Sequence, residues 1–207
     1  MNVILFDSNR ENYFPLTYTR PISDLRVGIL TIKEKWEKYY KSVSVKTDNY
    51  LSHKFPLEIK KDNLWINAKV FPSTELIIEI ENLRIGELLE KNGEVIAFRS
   101  SVFDLKKVNK IDSNVRFNKL ENLWDIFLDN DREIKKDFLL LTKNRKSQAL
   151  NETNIKIGDQ IFIEKGAKVN CSILNSEEGP IYIGRDAEVM EGSIIRGPFA
   201  MCQSSVL

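Results

Sequence analysis

The sequence predicts an α/β domain followed by a parallel β-helix built of hexapeptides. Three observations carry that expectation. A short, unbroken apolar run, Val3-Ile4-Leu5-Phe6, opens the chain. Helix-like and strand-like segments then alternate as far as about residue 145. From Ile155 to Leu207, small apolar residues return at every sixth position, a period that fits neither a helix nor a simple strand.

The elements follow in order. Val3 to Phe6 reads as a strand buried on both faces of a parallel sheet, with Asp7 at its carboxyl end, where open α/β sheets place ligand-binding loops. Ser8 to Phe14 reads as a polar loop, and the prolines of Pro15-Leu16-Thr17-Tyr18-Thr19-Arg20-Pro21 argue against an early helix. Thr31 and Glu34 have capping-box spacing, ahead of a short helix with Ile32, Trp36, Tyr39 and Tyr40 on one stripe, ending near Lys41. Val43 to Val45 alternates like a second strand, Tyr50 to Phe55 reads as a short helix before Pro56, and Leu64 to Asn67 reads as a strand. Asn92-Gly93, between two apolar runs in Glu87 to Arg99, predicts a hairpin with a type I′ turn. Asn122 to Phe127 begins a helix, and Asp131 to Leu141 keeps helical periodicity. Lys143 to Asn154 has almost no large apolar residue. The layout is therefore a domain over 1–145, a linker over 146–154 and hexads over 155–207.

The hexads run in two phases, Ile157, Ile163 and Val169, then Ile183, Val189, Ile195, Met201 and Leu207. The extra pair of residues between them is expected to bulge from a corner at Asn175 to Pro180. Leu207 falls on the beat with no polar cap, and an edge left open there predicts the front part of a longer protein.

Composition narrows the function classes. The 207 residues carry a net charge of +1, with 42% hydrophobic and 29% charged side chains. That balance provides a core but no field to recruit nucleic acid or membrane, and lysines and arginines alternate with acids rather than forming a stripe. No apolar run approaches the roughly 18 residues of a membrane span. Cys171 and Cys202 read as reduced packing residues of a cytosolic protein. His53, the one histidine, completes no Ser-His-Asp or Cys-His set and reads as exposed or half-packed. Trp36, Trp65 and Trp124 read as core.

Several motifs bear a family resemblance. Pro15-Leu16-Thr17, Arg20-Pro21-Ile22-Ser23-Asp24-Leu25-Arg26-Val27-Gly28, Trp124-Asp125-Ile126-Phe127, Gly179-Pro180-Ile181-Tyr182-Ile183-Gly184, Met190-Glu191-Gly192 and Arg196-Gly197-Pro198 are its carriers. With them the chain resembles a divergent bacterial branch of the bifunctional UDP-N-acetylglucosamine diphosphorylase/glucosamine-1-phosphate N-acetyltransferase family. The resemblance implies a small nucleotidyltransferase-like, Rossmann-like domain followed by the first coils of a left-handed parallel β-helix. It implies a nucleoside triphosphate and a hexosamine-1-phosphate as substrates, Mg²⁺ as cofactor and a homotrimer formed through the β-helix. Acetyl-CoA would serve only the full-length protein, because acyl transfer in such helices uses a histidine and residues 155–207 contain none.

The chain departs from the family's front end in two places. A loop without glycine, Asp7 to Phe14, stands where a glycine-rich loop with its arginine is usual, and Ile22 stands where the catalytic lysine is usual. Arg10, Arg20 and Arg26 are the cations left for phosphate, with Arg10 and Arg20 the catalytic candidates; pairing with Asp7, Glu11 or Asp24 is the alternative for each. Asp7 suits a metal or a nucleotide hydroxyl, or else caps its loop. Thr17 and Thr19 suit phosphate or local backbone, and Asn67 suits a sugar or a turn. The metal ligands are left unassigned. Two readings follow: a nucleotidyl transfer domain, or a non-catalytic domain that binds a sugar nucleotide or supports the acyltransferase.

Overall fold

The computed structural model describes residues 1–207. By contact the chain divides into two units, Met1–Arg26 with Leu30–Asp125, and Val27–Ile29 with Ile126–Leu207.

The first unit is built on a six-stranded sheet. Its elements are β1 (Asn2–Phe6), α1 (Ile32–Trp36), β2 (Val43–Lys46), β3 (Asn63–Asn67), α2 (Thr74–Glu81), β4 (Glu87–Lys91), β5 (Glu94–Ser100) and β6 (Asn109–Asp112). The strand order is β2-β1-β3-β5-β4-β6. β1 pairs in parallel with both β2 and β3, β4 pairs in parallel with β6, and β5 runs antiparallel to its neighbours β3 and β4. Every residue of β1 and β3 is buried, as an apolar run flanked on both faces requires. On one face Ile4 and Phe6 pack with Trp65, Leu88 and Phe98, and the Trp65 and Phe98 rings lie nearly parallel with centroids 5.8 Å apart.

Local signals explain most of these elements. Thr31 and Glu34 form the capping box that starts α1. The helix closes at Trp36, short of Lys41, and the chain continues as turns through the weaker helix formers Tyr39 and Tyr40. The expected helix at Tyr50 to Phe55 is a single 3-10 turn, Asn49–Leu51, because Tyr50 reaches away to the Tyr18 carbonyl and Pro56 disfavours helical backbone at Phe55. Asn92 and Gly93 both have positive φ, 53° and 79°, as a type I′ turn demands. Helix α2, which sequence periodicity passes over, is capped by Ser73 accepting from the Leu76 amide.

Trp124 is a correction. It is 64% exposed rather than core, because the turn before α3 (Asp125–Leu128) is fastened by the Asp125 carboxylate, which accepts from the amides of Glu121 and Asn122. Trp36 and Trp65 are fully buried, each donating its indole N–H to a backbone carbonyl.

In the second unit, α4 (Asn130–Thr142) precedes eight short strands: β7 (Ile155–Ile157), β8 (Ile161–Ile163), β9 (Lys168–Val169), β10 (Ile173–Asn175), β11 (Ile181–Ile183), β12 (Glu188–Val189), β13 (Ile194–Arg196) and β14 (Phe199–Met201). They form three parallel ladders, β7-β10-β13, β8-β11-β14 and β9-β12, in which each strand pairs with the third strand after it. Parallel pairing at that interval is compatible with the start of a β-helix. Ile163, Val169, Ile183, Val189, Ile195 and Met201 are buried in one cluster. Strands of successive ladders start at Ile155 and Ile161, then at Ile173 and Ile181, so the Asn175 to Pro180 corner takes up the two extra residues. Ile157 is a partial miss: it is half-buried and aligns with Asn175, while Leu174 aligns with Ile195 and turns inward. Cys171 is not a packing residue; it is exposed at a corner with φ 50°, and Cys202 is half-buried.

Several glycines in this unit have a steric reason, Gly166 and Gly28 among them. At Gly166 a Cβ would come 2.1 Å from an Asp186 carboxylate oxygen. At Gly28, with φ 85°, it would come 2.6 Å from Asp137 Oδ2 and 2.7 Å from the Glu133 backbone. The bare backbone lets Val27–Ile29 press onto α4, with the Gly28 amide donating to Asn130 and the Ile29 amide to Asp137. Ile29, Ile134 and Phe138 then pack against Phe162 and Tyr182 on the outer face of β8 and β11.

Candidate functional site

Three parallel strands end side by side in the first unit. The register sets Phe6 against both Lys46 and Asn67, so Asp7, Thr47-Asp48 and Ala68-Lys69 leave the sheet together at its carboxyl edge.

Asp7 is the hub. Its Oδ1 accepts from the Ile22 amide at 2.9 Å and its Oδ2 from the Thr47 hydroxyl at 2.6 Å. Burial pushes the carboxyl up from 3.8 to about 6, against the opposing pull of those two hydrogen bonds and the Arg10 charge. The carboxylate thus clips residues 8–22 to the strand ends.

The segment it clips is filled. Asn9 supplies the left-handed residue with φ 51°, and a 3-10 turn, Arg10–Tyr13, follows. Tyr13, Thr17 and Ile22 are fully buried. Arg10 is itself buried, with its guanidinium bonded to the Thr17 carbonyl and paired with Asp48. It lies 5.4 Å from the Phe14 ring centroid and 5.3 Å from that of Tyr50. Thr17 returns its hydroxyl to the Arg10 carbonyl. The amides of Phe14, Thr17 and Tyr18 donate to Glu11, Tyr13 and Pro15, so these three face the loop's own carbonyls. Asn67 accepts from Ser8 and from the Lys69 amide and donates to the Val95 carbonyl.

Asp7, Arg10, Thr17 and Asn67 therefore gather at one edge, each engaged with the chain. Arg20 and Arg26 lie elsewhere in the unit, in a polar cleft of about 370 Å³ lined also by Asp24, Thr31, Lys33, Glu34 and Glu37. Arg26 faces Glu34 at 3.3 Å, and Arg20 is exposed without an ion pair. Thr19 and His53 are exposed. Residues 1–125 thus hold two polar localities.

Residues 3–146 match the family model described as sugar nucleotidyl transferase, well over half of the chain. The chain belongs to the sugar nucleotidyl transferase family. A comparison with curated proteins returned no match. A sugar nucleotidyl transferase domain implies a nucleoside triphosphate and a sugar phosphate as substrates, and the mixed, parallel-rich sheet fits such a domain. No helix is long and apolar enough to cross a membrane.

The side chains of this family member build no all-protein cage for a divalent cation. No three His, Cys, Asp or Glu side chains converge, and both Asp7 oxygens already accept from the chain. Thr47, Asp48 and Lys69 were missed by sequence reasoning. The rule that singled out Asp7 and Asn67, a polar residue at or just past the end of a parallel strand, reaches all three once β2 and β3 are fixed.

Proposed function

We propose that this chain is a sugar-1-phosphate nucleotidyltransferase-like, cytoplasmic protein of UDP-N-acetylglucosamine synthesis, the N-terminal part of a bifunctional nucleotidyltransferase/acetyltransferase. The observation that carries the reading is the family match over 3–146, on a sheet whose parallel strands bring Asp7, Arg10, Thr47, Asp48 and Asn67 to one carboxyl edge. In this reading the phosphate oxygen of the hexosamine-1-phosphate attacks the α-phosphorus of the triphosphate in line. The new oxygen–phosphorus bond forms as the bond to pyrophosphate breaks. Mg²⁺ carried by the triphosphate would supply counter-charge, and the exposed Arg20 and Arg26 are the side chains assigned to the anionic substrates. Residues 155–207 are, in the same reading, the opening coils of a left-handed β-helix that assembles as a homotrimer. They contain no histidine to act as acyl-transfer base, so nucleotidyl transfer is the activity assigned.

One observation favours a second reading, a domain that binds sugar nucleotide without turnover. Ile22 is fully buried and the loop around it is closed by its own side chains. Calorimetry with UTP and with UDP-N-acetylglucosamine in Mg²⁺, followed by a pyrophosphate-release assay with N-acetylglucosamine-1-phosphate, separates the two. Release supports transfer, binding without release supports the non-catalytic domain, and no binding of either nucleotide removes both.

A further inference from the structure

Buried charges in this protein are met by partners at nearly every turn. Arg10 holds Asp48 and a carbonyl, Glu164 holds Arg145 and Tyr182, and the Asp137 carboxylate accepts the Ile29 amide. Lys69 breaks the pattern. It is 7% exposed, yet its ammonium is in no hydrogen bond or ion pair with the chain. An ammonium on a side chain buried to that extent has lost part of its hydration without replacing it.

Its position is fixed. The Lys69 amide donates to Asn67 Oδ1 at 3.3 Å and its carbonyl accepts from the Leu120 amide at 2.9 Å. The adjacent Val70 bridges antiparallel to Lys119. The charged groups within range are Lys119, Glu121 and Glu11, and no acid among them is bonded to Lys69. Glu121 pairs with Lys119 at 2.6 Å, and Lys119 also pairs with Glu94. Glu11 is exposed on the turn after β1. Burial, and then the charge of Lys119, lower the Lys69 pKa against the pull of Glu121 and Glu11.

We propose that Lys69 is a phosphate-binding residue of this domain, its side chain mostly buried and its ammonium left without a protein partner beside Lys119, open to a phosphate oxygen that completes it. The location agrees: Lys69 leaves the same carboxyl edge as Asp7 and Thr47-Asp48, where a doubly wound sheet binds its ligand. The inference rests on the reading above only for which phosphate compound arrives.

The test is calorimetry on the full chain at pH 7.5 and low salt, with inorganic pyrophosphate, UTP and N-acetylglucosamine-1-phosphate titrated separately. Lys69→Met keeps the aliphatic stem and removes the charge, and is expected to weaken binding of phosphate ligands by about tenfold or more. Lys69→Arg is expected to restore most of the affinity. Loss for UTP and pyrophosphate alone assigns the triphosphate as the source, and loss for the sugar phosphate alone assigns the other substrate. Wild-type affinities for all three ligands in a folded Lys69→Met protein overturn the proposal while leaving nucleotidyl transfer standing. Pyrophosphate binding that needs Lys69, with no binding of UTP, upholds Lys69 and removes the nucleotidyltransferase reading. No binding of any of the three by wild type removes both. Should Lys69→Met fail to fold, ¹³Cε-lysine spectra of wild type decide, with the Lys69 signal assigned from Lys69→Arg: a shift on adding pyrophosphate upholds the contact and an unmoved signal overturns it.

Discussion

The carboxyl edge of β1, β2 and β3 and the ladders of residues 155–207 solve the same problem, holding short stretches of chain far apart in sequence, by opposite means. At the edge each bond is a singleton: Asp7 to Thr47, Ser8 to Asn67, Arg10 to Asp48. In the ladders one bond recurs at equivalent positions. The Glu164 amide donates to the Ile183 carbonyl and the Gly184 amide to the Met201 carbonyl, both at 2.9 Å. The Lys168 amide donates to the Ala187 carbonyl and the Glu188 amide to the Ser205 carbonyl, both at 2.8 Å. A repeated bond draws its strength from packing shared by neighbours, whereas a singleton concentrates it in a few polar groups. Damage to the ladders should therefore appear as lost packing, and damage to the edge as lost pairing or altered titration.

Packing gives the largest expected effect. Leu174 has no exposed surface and sits in the cluster with Ile163, Ile183 and Ile195. Leu174→Ala removes buried apolar volume from a narrow interior that has little room to relax, and should cost about 2–5 kcal/mol. Urea unfolding followed by far-UV circular dichroism measures it. A loss under about 1 kcal/mol would show that the interior tolerates a void, and the contrast with the edge would then fail.

At the edge the next effect is a pH dependence. The Asp7 carboxyl titrates near 3.8 when free and near 6 in the fold, so the folded chain holds that proton more tightly than the unfolded one. Its contribution to stability is complete below pH 3.8 and disappears as pH rises through about 6, a loss of about 3 kcal/mol. Asp7→Asn keeps an acceptor for the Ile22 amide and offers the Thr47 oxygen a donor, while removing the charge that burial opposes. The downward slope between pH 4 and 7 should vanish in this variant. Chemical denaturation at four or five pH values shows it, and an unchanged slope would mean that Asp7 does not titrate as the edge geometry requires.

The same contrast explains what could be read from the sequence. The ladders were legible because their inward residues recur, so Ile183, Val189 and Ile195 could each be placed from spacing alone. Two beat residues were misplaced: Ile157, which the register pairs with Asn175 rather than with Leu174, and Leu207, which is exposed. β1, β3 and the Asn92-Gly93 hairpin were legible from local apolar runs and turn chemistry. The edge was only half legible. Asp7 and Asn67 were found by position after a strand, but no local pattern shows that Thr47 or Ile22 would occupy Asp7, or that Asp48 would hold Arg10, because those pairs exist only once the sheet has formed. Lys69 was hidden for a related reason: a lysine between Ala68 and Val70 carries no sign that the fold will bury it. Val27–Ile29 joining α4 was hidden too, although the glycine that permits it was in plain view.

The smallest effect concerns how a loop without glycine turns. Asn9 takes the left-handed conformation, with φ 51° and ψ 49°, and its carbonyl receives the Asn12 amide at 3.1 Å as the 3-10 turn begins. Asparagine tolerates that region better than other residues with a Cβ, whose Cβ crowds the following carbonyl. Asn9→Ala should therefore cost about 1–2 kcal/mol, and Asn9→Gly should stay within about 0.5 kcal/mol of wild type, since glycine adopts the same dihedrals freely. Thermal melts of both variants measure the pair. If alanine and glycine prove equivalent, the turn is not held by its backbone preference but by the Arg10 and Asp7 bonds around it, and the edge relies on its singletons even more heavily than the comparison supposes. If alanine alone is destabilising, Asn9 is the residue that lets this loop close over the strand ends without glycine.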